Sequence, residues 1–127
     1  MRIPLTILTF ILLVSCQRYM RDLRGIKAKF EISNMTDQSI DSINIKPFDH
    51  ESNSNFIHLV PGESQIYWLE MTELPKVDGD YLLTFKLNQN NKQMKRFGYF
   101  TNGYPLEEIT EIQIEKDTVI ITFFDDY

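Results

Sequence analysis

Two histidines are the first side chains to weigh for chemistry. His50 lies between Asp49 and Glu51, and His58 follows eight residues later. A histidine among carboxylates can hold a metal or move a proton near neutral pH. Consecutive residues of an extended segment project in alternate directions, however, so Asp49, His50 and Glu51 do not converge and read as a solvated loop. Carboxylates are paired at Asp78/Asp80, Glu107/Glu108 and Asp125/Asp126. Glycosidase chemistry needs two carboxyls facing across a substrate cleft, for which 112 residues of sandwich leave scant room, and calcium needs a ladder of alternating oxygens, which does not appear. Their expected role is charge that keeps sheet edges from pairing. Gly-x-Ser-x-Gly, His-Glu-x-x-His, Cys-x-x-Cys and a phosphate loop are all missing, so the chain reads as a non-enzyme with no metal and no cofactor.

Binding is better represented. From Arg96 to Pro105 four aromatics surround two glycines, and Phe97, Tyr99, Phe100 and Tyr104 are the candidate partner-binding residues. Glycine inside a strand marks the close approach of another backbone or a large ring, and aromatic loop ends make good contact surfaces. The structural alternative is that Phe97 and Tyr99 fill one side of a strand, Gly98 makes room for Trp68 or Phe100, and Asn102-Gly103 forms a turn.

Cys16, the single cysteine, closes Leu13-Val14-Ser15-Cys16 behind an apolar run from Ile3 to Val14, with Arg2 supplying the positive charge before it. The run is too short to span a bilayer and fits the core of a signal peptide. With a cysteine at the first mature position, it resembles the lipobox of bacterial lipoproteins. That resemblance covers only Met1 to Cys16. It implies cleavage before Cys16, a diacylglycerol on its thiol and, in the usual case, an acylated amino terminus. Each buried methylene contributes about 0.8 kcal/mol and one chain holds only reversibly, so several chains give a permanent anchor. The resemblance implies a cell-envelope location, and Gln17 rather than Asp after the cysteine favours the outer membrane over the inner.

The organisation that follows is a signal peptide at 1–15, a lipidated basic tether at 16–25 and one domain at 26–127. With Cys16 committed to lipid, no disulfide is available, so stability has to come from packing. From Gln17 to Lys29, Arg18, Arg21, Arg24, Lys27 and Lys29 against Asp22 give a net charge of +4, and from Phe30 onward the net is −10. A basic tether beside a lipid anchor lies within reach of anionic head groups, whereas an acidic body is pushed away from them. The acidic body also argues against nucleic acid as a partner.

The elements that must position these residues are strands. Ile26, Ala28, Phe30 and Ile32 alternate with polar neighbours, as do Ile43 and Ile45, with Ile40 out of step, which predicts either a bulge or a strand that starts later. Tyr81, Leu83, Phe85 and Leu87 give the cleanest alternation, and Val119 to Phe124 is apolar on both faces, which predicts a central strand. Turn signals fall at Asn34 to Ser39, Pro61-Gly62, Pro75 to Asp80, Asn88 to Lys92, Asn102-Gly103 and Lys116-Asp117. Seven to eight strands at this spacing predict an all-β antiparallel sandwich. Gly79-Asp80-Tyr81 resembles the Gly-x-Tyr half of the tyrosine corner of immunoglobulin-like domains, which implies a broadly immunoglobulin-like architecture with the Tyr81 hydroxyl bonded to upstream backbone. The alternative fold is a small up-and-down β-barrel. The functional expectation is a lipid-anchored envelope binding module for another envelope protein or a glycan. The alternatives are an immunity or inhibitor lipoprotein that covers a basic toxin or enzyme, and a small metal-binding or hydrolytic protein.

Overall fold

The computed structural model describes residues 25–51, 55–88 and 91–125. The expected signal peptide and the tether as far as residue 24, Cys16 included, lie outside these residues. Nine strands and no helix make up the described chain: β1 (Lys27–Asn34), β2 (Ile40–Pro47), β3 (Ile57–Leu59), β4 (Ser64–Glu70), β5 (Gly79–Leu87), β6 (Asn91–Thr101), β7 (Tyr104–Pro105), β8 (Ile109–Ile114) and β9 (Val119–Phe124). They form two sheets, of order β4-β1-β8-β9 (sheet A) and β3-β2-β5-β6-β7 (sheet B). The sheets pack face to face as a sandwich. All neighbouring pairs are antiparallel except β1 and β8, which run parallel.

Period-two patterning accounts for the core. Ala28, Phe30 and Ile32 of β1 point inward with Tyr67 and Leu69 of β4 and with Ile112 and Ile114 of β8, and all are buried. Sheet B answers with Ile43, Ile45, Tyr81, Leu83 and Phe85. At the centre the Phe30 ring meets Tyr81 at 5.2 Å and Phe97 at 5.8 Å, both edge-on, the arrangement that aromatic quadrupoles favour. Burying each such ring contributes roughly 1.5–3 kcal/mol. The bulge expected near Ile40 is present: register shifts between Asp41 and Asn44, and Ser42 takes φ 55°, so Ile40 and Ile43 both reach the core.

Two expectations are corrected. β9 is an edge strand paired only with β8, and Ile120, Phe123 and Phe124 on it are exposed. Apolar residues on both faces here reflect exposed apolar surface, not burial on both sides. Tyr81 does not make the backbone bond of a tyrosine corner, since its hydroxyl faces Met71 Sδ at 3.8 Å. Burial pushes that phenol well above its ordinary pKa, with the Glu107 charge adding to the effect.

Candidate functional site

The aromatic segment 96–105 is shaped by one bulge. β6 takes a three-residue step, from Phe97 to Phe100, against the two-residue step from Tyr81 to Gly79 on β5. Gly98 supplies the positive φ this requires, at +67°, with its α-carbon against the Tyr81 ring. The residue Gly98 makes room for is therefore Tyr81, not Trp68 or Phe100. The bulge turns Phe97 and Phe100 both inward, where they are 8% and 0% exposed. These two predicted partner-binding residues belong to the core. Tyr99 and Tyr104 are 46% and 48% exposed and remain on the surface.

Asp78 organises that surface. The Tyr99 hydroxyl donates to Asp78 Oδ2 at 2.8 Å and the Asn102 amide to Oδ1 at 2.9 Å. The Asn102 amide, then the tyrosine hydroxyl, hold the Asp78 carboxyl below the usual range, and the same contact raises the Tyr99 phenol. Asn102 and Gly103, with φ of 53° and 75°, make the two-residue turn into β7, as the Asn-Gly pair predicts. The Gly103 amide donates to Val77 O at 3.0 Å, and the Lys76 ammonium stands 5.9 Å from the centre of the Tyr104 ring. Tyr99, Tyr104 and Val77 thus share one end of the sandwich.

A second place carries more varied chemistry. On the outer face of sheet B three rows cross β2, β5 and β6: Lys46–Leu82–Arg96, Asn44–Thr84–Met94, and Asp41–Lys86–Lys92. Glu51 and Phe56, between β2 and β3 in the chain, join these rows in lining a depression. The result is an open cleft of about 680 Å³ lined by Ser42, Asn44, Lys46, Glu51, Phe56, Leu82, Thr84, Phe85, Lys86, Lys92 and Met94. Thr84 lies on its floor, only 8% exposed, and its hydroxyl has no hydrogen-bond partner among the described residues. Phe56 and Met94 are the most exposed apolar residues described, at 70% and 66%.

Charge in the cleft runs against that of the body. Four of the seven Lys and Arg that follow Phe30, namely Lys46, Lys86, Lys92 and Arg96, stand in these rows. Arg96 is engaged: its Nε and Nη2 donate to Asp80 at 2.8 and 3.1 Å, and its guanidinium stacks 3.6 Å over Phe48. That bidentate bond lowers the Asp80 carboxyl and raises Arg96. Lys46, Lys86 and Lys92 form no ion pair among the described residues. Sequence reasoning summed these charges and so missed their grouping. The signal was present in strand parity, because Lys46 and Lys86 each alternate with core residues on a strand, and a hairpin brings Lys92 opposite Lys86.

The histidines go elsewhere. His58 pairs with Asp41 on the exposed side of β2 and β3, while His50 sits in the loop after β2. Among the described residues no three His, Cys, Asp or Glu side chains converge as metal ligands do. With one carboxylate, Glu51, in its lining, the cleft is equipped for recognition: cations at the rim, a buried hydroxyl and amide on the floor, and apolar surface at one wall. No protein-family model matches the chain, and comparison with curated proteins found no significant match.

Proposed function

We propose that this protein is a non-enzymatic binding module held at a bacterial cell envelope by lipid on Cys16, in the outer membrane, and that its ligand is an acidic glycan lying in the cleft of sheet B. The observation that carries this reading is a trio of lysines around the buried Thr84 hydroxyl, all four without an ion pair or hydrogen-bond partner among the described residues. A buried hydroxyl without a partner forfeits hydrogen-bond energy that a ligand hydroxyl restores. Lysine heads at an exposed rim pair with carboxylates or sulfates, and Phe56 and Met94 offer apolar surface to sugar ring faces. The volume is within the usual range for small-ligand clefts. An acidic body around a cationic cleft also limits non-specific adhesion of polyanions to the rest of the surface.

Calorimetric titration with a heparin-derived oligosaccharide as the acidic probe tests the reading. Wild-type protein binds in a salt-sensitive manner, and the double substitution Lys86→Glu with Lys92→Glu weakens binding by roughly tenfold or more. Both positions are exposed on β5 and β6, so the fold is retained. No binding by the wild type, or equal binding by the variant, overturns the assignment.

A further inference from the structure

The polarity of the strands places a set of exposed aromatics at the end of the sandwich where the anchored chain enters. β1 begins there, opposite the end of β4 and beside the start of β8 and the end of β9. Sheet B contributes the start of β5, the end of β6 and all of β7, tied to the connection after β4 by the bond from Gly103 to Val77. On the outer face of sheet A, Trp68 stands opposite Lys29, and Phe124 opposite Ile109. The Lys29 ammonium lies 5.5 Å from the Trp68 ring centre. Tyr104 of β7 and Leu106 just after it complete the rim, and Trp68, Tyr104, Leu106 and Phe124 are all exposed.

From these observations we infer that this end of the domain rests in the interface of a phospholipid bilayer, with Trp68, Tyr104, Leu106 and Phe124 among the head groups. The inference rests on the lipid anchor proposed at Cys16. Eight residues, Gln17 to Arg24, separate Cys16 from Gly25, and the nine steps between the two span at most about 30 Å when fully extended. Gly25 joins β1 at this end, with the Ile26 amide donating to Thr72 Oγ1 at 2.8 Å, so a short leash draws this end and no other toward the lipid. Tryptophan and tyrosine favour the head-group layer because their rings are apolar and their N–H and O–H groups stay hydrated, while Lys29 and Lys76 reach outward from apolar stems. Glu73, Glu107 and Glu108 share this end, so attraction comes from the aromatics and not from net charge. The cleft of sheet B opens at mid-strand on the other sheet, where it stays clear of the bilayer.

Trp68 is the chain's one tryptophan and therefore its own reporter. The lipidated full-length mature protein is reconstituted into phosphatidylcholine vesicles with or without brominated acyl chains, and tryptophan emission is read after flotation. Co-flotation with blue-shifted emission, quenched by bromine to about half or less, is the expected result. The double substitution Tyr104→Asp with Leu106→Asp still floats but loses most of that quenching. Flotation with unquenched Trp68 overturns the interface while leaving the anchor intact. Failure to float overturns the anchor, and the interface with it.

Discussion

At Gly98 one missing Cβ decides which way three aromatic rings point. A Cβ built there meets Tyr81 Cδ2 at 3.0 Å, on a backbone already at φ +67°. Gly62 has a similar φ, +80°, but nothing within 4 Å of its Cβ position. The pair separates backbone strain from crowding. Gly62→Ala should cost about 1 kcal/mol, the left-handed penalty alone, and Gly98→Ala about 2–3 kcal/mol, read as shifts in urea midpoint. Equal losses would mean that the Tyr81 ring yields freely. Asn34 shows the opposite economy, a fully buried polar side chain with every contact used: its Nδ2 donates to Gln38 O and Leu59 O, while its Oδ1 accepts from the Thr36 amide and hydroxyl. Inside a low-dielectric core only a satisfied amide of this kind is tolerated.

Among the elements, β2 shows how an edge is finished. β3 covers it only from Ile40 to Ile43, and beyond that the Tyr67 hydroxyl reaches across from sheet A to Asn55 O at 2.7 Å and lies 3.2 Å from Ile45 O. Tyr67→Phe should therefore lower stability by about 1–2 kcal/mol, whereas Tyr81→Phe, which gives up only a thioether contact, stays within about 0.5 kcal/mol by the same denaturation measurement. A larger loss at Tyr81 would restore the corner role that Gly79-Asp80-Tyr81 implies. Alternation made most strands legible, from Phe30 and Ile32 through Leu83 and Phe85, because one buried face imposes period two. The parallel pairing of β1 with β8 was not legible, since strands nearly eighty residues apart carry no local mark of their partner. β9 misled because Ile120 and Phe124 are apolar and exposed at once, a combination that patterning reads as burial. In the aromatic segment, the bulge at Gly98 divided residues that the sequence grouped together, sending Phe97 and Phe100 inward and leaving Tyr99 and Tyr104 outside. The lysine cleft needed register across three strands, which no window of sequence contains.

For the whole molecule, charge and apolar surface are sorted by position. The net charge of −10 from Phe30 onward describes an average surface, yet sheet B gathers cations around a cleft and the end next to Gly25 gathers exposed aromatics. The anchor proposed at Cys16 would give that arrangement a direction, with the aromatic end toward the bilayer and the cleft facing sideways into the envelope. Charge alone would hold an acidic body off an anionic membrane; in the proposed arrangement a short tether and an aromatic end would oppose that repulsion over the last few ångströms, where salt screens charge but not apolar contact. The proposed envelope location and the bilayer contact both depend on the chemistry of one sulfur. The most direct test is the intact mass of the protein extracted from its own membranes, with fragmentation of its amino terminus. The expected result is a chain that begins at Cys16 and carries acyl mass on that residue, with membrane association lost in Cys16→Ser. A chain that retains Met1 to Ser15, or a Cys16 thiol without lipid, would contradict it.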